Sequence, residues 1–315
     1  QSSPSLMMRM FYANDPNQLP IEVIGLDGIV YLVVSLTLWH AIREGYGNIM
    51  LALVLLLVAF AVEEASINNG YLWTHCHADA LLMVTKCSSL NSVLFYVAWL
   101  YSSLCSAKRL GLHRSAYPSA VGMFAFFFGV TYELQGPAYK WWRYTDKDVA
   151  NGALDERVYG MPLMAAYFHC AMGFGVALAE SITYCDTRPT FVRYVGVFLL
   201  AAPCALLLDV PVRILTFFGV SKEVTVPTML FTVFVLPILL NLGRRKLRMT
   251  QRDWLLFSIP CLWNTYFLLA NLWNVNRGPV PVTPDLRALV CSGGIISLVL
   301  HFTVDLGSDS HLKVA

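Results

Sequence analysis

Apolar residues along this chain come in long blocks. They do not show the strict alternation of a half-buried strand or the narrow stripe of a soluble amphipathic helix. Each block is about twenty residues long, the length a helix needs to cross the hydrocarbon core of a bilayer. Nine blocks stand out, at roughly 22–42, 47–67, 80–105, 117–135, 160–184, 192–215, 224–243, 253–273 and 287–306. Gly and Pro punctuate many of the breaks, as at Gly45 and Gly47, Pro118, Gly136 and Pro137, Pro189, and Pro279 and Pro281. Pro203, Pro211, Pro237 and Pro260 fall within or near helix ends, where kinks are tolerable if neighbouring helices satisfy the freed carbonyls.

The pattern predicts an all-α fold, a polytopic transmembrane helical bundle of about nine spans. An outer segment at 1–21 precedes a helical domain at 22–307, which includes a long outer loop at 136–159. A short cytoplasmic tail, 308–315, follows. The chain starts at Gln1, as expected of a processed terminus or of numbering that begins inside a longer product.

Composition agrees with the pattern. The 315 residues are 57% hydrophobic and 13% charged, with mean hydropathy +0.58. A soluble domain carries about a quarter charged residues, so lipid must cover much of this surface. A net charge of +2, with basic residues in short clusters between apolar runs, points to membrane loops and away from nucleic acid. The chain has no glycine-rich phosphate loop and no Cys-x-x-Cys pair.

Charge also sets orientation. Arg43 follows the first block, Lys108, Arg109 and Arg114 the third, Arg188 and Arg193 the fifth, and Arg244, Arg245, Lys246, Arg248 and Arg252 the seventh. With nine spans these four loops share one side, which is then cytoplasmic, with the N-terminus outside and the C-terminus inside. Most of the eight cysteines lie in apolar runs and read as small buried residues. Only Cys76 and Cys87 are placed to pair across one outer loop.

Candidate chemistry gathers at the predicted outer ends of alternate helices. The second block ends in Glu63 and Glu64, the fourth in Glu133, the sixth in Asp209, and the eighth in Asn271. A carboxylate inside a membrane helix costs about 2.5–3.5 kcal/mol on insertion scales, so these acids need partners, protons or water. They point to an acidic pocket in which Glu64, Glu133 and Asp209 are the catalytic residues. Tyr71, Trp73, Tyr139, Trp142 and Asn271 contact the substrate. The bland alternative is a buried polar network. The aromatic stretch Tyr139, Trp141, Trp142 and Tyr144 reads as an interfacial anchor or, more sharply, as a lid over a site. His75, His77 and His169 are possible ligands in a metal alternative, but no metal or cofactor is assigned.

Glu64 with Gly70 and Tyr71, Glu133 with Gly136, Tyr139 and Tyr144, the Tyr159 to Pro162 helix start, and Asp209 together resemble prokaryotic carotenoid-biosynthesis membrane proteins of the bacterioruberin-pathway hydratase type. The resemblance covers roughly residues 50–240. The glycine-rich aromatic turn of that family is replaced here by Asn68 to His75. The resemblance implies an enzyme acting on a lipid or another long apolar, isoprenoid-like molecule. A narrower likeness, to alkaline-ceramidase-like hydrolases with a zinc held by His and Asp, rests on Glu64, Ser66, His77 and Asp79. His301 and Asp305 have ligand spacing, but the topology puts them about a membrane thickness away. The rival class is a non-catalytic subunit of a membrane complex, favoured by small-residue patches such as Gly173 with Gly175 and Gly293 with Gly294. The expected partners are membrane lipids or a long apolar ligand, and other membrane subunits in the rival reading.

Overall fold

A computed structural model of the chain describes residues 11–68, 75–77, 80–139, 141–144, 157–184, 190–242, 253–273 and 283–305. It is all-α apart from short strand pairs. The helices are α1 (Ile21–Glu44), α2 (Tyr46–Asn68), α3 (Leu90–Arg109), α4 (Tyr117–Ala138), α5 (Leu163–Thr183), α6 (Thr190–Phe217), α7 (Lys222–Met229), α8 (Leu236–Leu242), α9 (Trp254–Trp273) and α10 (Pro284–Asp305). A π-helical segment at Leu230–Val235 joins α7 to α8, so the two form one rod. Among the described residues the rods therefore number nine and match the nine apolar blocks in order.

Eight helical stretches among the described residues are long and apolar enough to cross a membrane. The protein is thus an integral, multi-pass membrane protein by helix length and composition. Helix α4 lies outside those eight. Its run is interrupted by Gly122, Gly129, Thr131, Glu133 and Gln135, and it packs against α3, α5, α9 and α10. A helix wrapped by protein need not be apolar on every face, so polar residues are tolerated there.

Aromatic rings fill the centre. Phe95 stacks on Trp99 at 5.5 Å and on Trp263 at 4.8 Å, and Phe128 stacks on Trp263 at 5.5 Å. The indole N–H groups satisfy themselves on helix carbonyls, Trp99 on Ala125 at 2.7 Å and Trp263 on Phe128 at 3.0 Å, which ties α3 and α9 to α4. The peripheral helices turn large apolar side chains outward, among them Trp39, Leu57, Leu199, Phe231, Leu240 and Phe302, as a lipid-facing surface requires.

Two helix starts differ from expectation. The third block was expected from residue 80, but α3 starts at Leu90. Leu82–Met83 (β3) pairs antiparallel with Tyr12–Ala13 (β1), and Ser89 caps α3 by accepting the Ser92 amide at 3.3 Å. An apolar run of that length does not distinguish strand from helix. The fifth block starts at Leu163 rather than 160, because Arg157–Val158 (β5) pairs with Met161–Pro162 (β6) and Pro162 precedes the first turn.

The loops attached to one end of the bundle touch one another. Asp253, just before α9, bonds Arg43 of α1 at 2.8 Å and His40 at 3.0 Å, with Arg109 of α3 at 3.8 Å. At the other end, His75–His77 (β2), from the loop after α2, pairs with Trp142–Tyr144 (β4), from the loop after α4. The expected long outer loop therefore has a strand near its start; residues 145–156 and 308–315 lie outside the described residues.

Candidate metal centre

The pairing of β2 with β4 builds the site. Side chains alternate along a strand, so His75 and His77 face one way and Cys76 the other. Cys76 is disulfide-bonded to Cys87, and the His77 amide donates to the Cys87 carbonyl at 3.0 Å. The strand is thus fastened by β4 on one edge and by the disulfide loop on the other, and both histidines are held toward α2. The pairing of Cys76 with Cys87, open in the sequence, is formed.

Both histidines converge on a single oxygen of Glu63. His77 Nε2 lies 3.0 Å and His75 Nε2 3.4 Å from Glu63 Oε1, and Ser92 Oγ donates to the same oxygen at 2.8 Å. One ligand atom from each of Glu63, His75 and His77 falls within 4.8 Å of the others. Zinc bonds of about 2.0–2.1 Å at tetrahedral angles would separate adjacent ligand atoms by about 3.3 Å. The observed spacings fit that edge.

A second pair faces the trio. His169 Nε2 meets Glu133 Oε1 at 2.9 Å, and Tyr144 donates to Glu133 Oε2 at 2.5 Å. The His169 ring lies against Gly129, where any Cβ would collide with it. Gly136 likewise makes room for the Trp142 indole. The two groups share a cavity of about 40 Å³ walled by Phe95, Tyr96, Tyr132, Trp142 and Phe168. One water needs roughly 10–15 Å³, so the space suits an ion with a water or two. A lipid body does not fit; only its reacting end could enter.

Burial and the Glu63 carboxylate act in opposite directions on each of the two histidines. Burial alone would push both down. For His75 the Glu63 charge and hydrogen bond outweigh burial and hold it above the ordinary imidazole range. For His77 burial prevails over the pull of Glu63, with His75 opposing a second charge, so it lies below. Burial, reinforced by the adjacent Glu133 carboxylate, pushes the Tyr144 phenol well above its usual range and keeps it a donor.

The sequence-derived site is corrected in several places. Glu133 and Trp142 line the cavity, with Trp142 4.3 Å from the Tyr132 ring. Among the described residues Glu63, and not its neighbour Glu64, lines it, because one residue is about 100° of helix rotation. Asp209 pairs with Arg213 and lines a separate recess with Met164 and Lys222, so the three acids do not share one pocket. Tyr139 is buried against Trp141 at 5.2 Å, outside the cavity lining. Asn271 is fully buried and donates to Cys291 Sγ at 3.7 Å between α9 and α10. Tyr71, Trp73 and Asp79 lie outside the described residues. His301 bonds Ser106, near the C-terminal end of α3, whereas the site's Ser92 is in its first turn. Trp141, Trp142 and Tyr144 are buried, which fits a lid over a site and not an interfacial anchor.

The fold and site define a multi-helix membrane protein with a buried cluster of histidines and carboxylates under a disulfide-fastened lid. Residues 7–242 match the family described as a domain of unknown function (DUF7802), and the chain belongs to that family. No curated protein and no solved structure matches the chain.

Proposed function

We propose that this protein is a metal-dependent membrane enzyme acting on the reactive end of a lipid. The convergence of Glu63, His75 and His77 on one point, facing the Glu133–His169 pair across a single cavity, carries the reading. This revises the expectation of no metal. Three protein ligands with room for water is the pattern of a catalytic rather than a structural zinc site. A bound metal would supply a water acidified toward neutrality. Glu133 would accept the proton, held in place by His169 and Tyr144. This chemistry fits hydrolysis of an ester or amide better than hydration of an isoprenoid double bond, since only one of the three acids expected for the latter, Glu133, lines the cavity.

We further propose nine spans with the N-terminus outside and the C-terminus cytoplasmic. Supporting this, Arg43, Arg109 and Asp253 meet at one end of the bundle. The disulfide lies at the opposite end, as suits an oxidising compartment.

The test is Glu133→Gln. The amide keeps shape but cannot relay a proton. The variant should keep the metal content of the unaltered protein, about one ion per chain, while cells carrying it show the lipid profile of cells lacking the protein. The rival reading is a purely structural tie, in which every one of these groups simply satisfies another. It predicts no bound metal, an unchanged lipid profile and lower stability in Glu133→Gln.

A further inference from the structure

Away from this centre, the basic end of the bundle holds a second cavity, about 480 Å³ in volume, between the end of α3, the start of α4, the end of α5 and the start of α6. Its polar lining includes Lys108, Arg114, Tyr117, Glu180 and Arg193. Glu180 is buried at 4% exposure. It takes Lys108 Nζ at 2.8 Å and Arg193 at 2.9 Å on the same oxygen, and the Tyr117 hydroxyl donates to the other at 2.9 Å. Among the described residues Arg114 bonds a neutral group, the Ser181 carbonyl. Among the described residues, two cations therefore bond one carboxylate and a third lines the same cavity, so this lining carries a net positive charge.

Donors remain after these bonds. The lysine ammonium has three hydrogens and gives one to Glu180, and Arg114 lies exposed at the cavity. The Arg193 guanidinium lies over the Tyr184 ring, 4.7 Å from its centre, so it is pre-positioned. Leu112 and Ala107 give the cavity an apolar side. Ile182 and Phe191, beside it in sequence, expose 56% and 62% of their surface, as lipid-facing residues do.

We infer that this cavity binds the phosphate headgroup of an anionic phospholipid from the leaflet at the basic end of the bundle. Excess positive charge in a pocket between helix ends at the cytoplasmic face is what such headgroups recognise. The apolar flank favours a lipid over a free anion. The volume accommodates a phosphate with its glycerol.

Thermal unfolding of the purified, delipidated full-length protein tests this, with dioctanoyl phosphatidate, dioctanoyl phosphatidylcholine and inorganic phosphate as probes. Phosphatidate should raise the melting temperature at concentrations where the other two do not. Arg114→Gln and Arg193→Gln should each weaken that response by about tenfold, the weight of one charge-assisted hydrogen bond of about 1.5 kcal/mol. Arg193→Gln strips a partner from buried Glu180 and risks misfolding. Arg114→Gln, which gives up only a carbonyl contact, then decides. An equal response to phosphatidylcholine overturns the inference. So does an equal response to inorganic phosphate, which would make the cavity a free-anion site, or a folded Arg114→Gln protein with unaltered response.

Discussion

Replacing Glu63 with Gln separates a metal centre from a hydrogen-bonded ion pair. Structural zinc sites with four ligands bind with apparent free energies of about 10–16 kcal/mol, so one ligand is worth roughly 3 kcal/mol, or about 100-fold in affinity. Suppose free metal is held at a hundred times the dissociation constant of the unaltered protein. Binding to the folded state alone then adds about 2.7 kcal/mol of stability. In Glu63→Gln the same concentration only equals the dissociation constant, and the gain falls to about 0.4 kcal/mol. The assay is denaturant unfolding after chelation, with and without added zinc. The metal-dependent increment should nearly vanish in the variant, whatever the chelated proteins differ by. A purely structural ion pair predicts no zinc increment in either protein. Glu63 is 1% exposed and faces two histidines. Removing its charge would then cost a few kcal/mol with or without metal. Equal zinc increments in both proteins, or none in the unaltered one, refute the metal centre.

Three further outcomes follow from the same geometry. Replacing Cys76 and Cys87 together with Ala should cost up to about 3 kcal/mol by freeing a loop of this length, and should weaken zinc binding as well, because the loop holds the strand of His75 and His77; calorimetric titration and unfolding check the two effects separately. Asp253 is held below the ordinary carboxylate range: burial opposes its charge, but His40, the Leu256 amide and Arg43 outweigh it. Its contribution is therefore fully present above its unfolded pKa of about 4 and is lost as pH falls below that value; Asp253→Asn should lose about 1–3 kcal/mol at neutral pH and show a flatter acid limb in an unfolding series. Single cysteines placed at exposed Ser115 and exposed Arg157, in a background without reactive cysteines, should label from opposite sides of the membrane; labelling from one side removes the nine-span arrangement.

The helices were legible because a bilayer imposes a length. Among the described residues nine apolar blocks map onto nine rods, and the largest error, at α3, comes from the apolar start of the third block, where Leu82–Met83 pair as a strand with Tyr12–Ala13. The site was legible only in depth. Glu63, Glu64, Glu133 and Asp209 were grouped because their helices end at one level, and that level is set by hydropathy. Rotation about each helix axis is not. A helix apolar on every side, such as α2, offers no polar stripe from which to decide that Glu63 faces inward and Glu64 does not. Position around the bundle is equally silent, so Asp209 shares a depth with Glu133 yet lines another recess beside Lys222. The ligand set did leave a local signal, His75 and His77 two apart, which share a face only if the segment is extended. Without that extended geometry, His75 and His77 stand in the sequence only as possible ligands in a metal alternative. The extended state depends on β4, sixty-odd residues further on. What turns two loop histidines into a ligand pair is therefore a tertiary contact, and the disulfide at Cys76 makes it specific by fixing which way the intervening residue points.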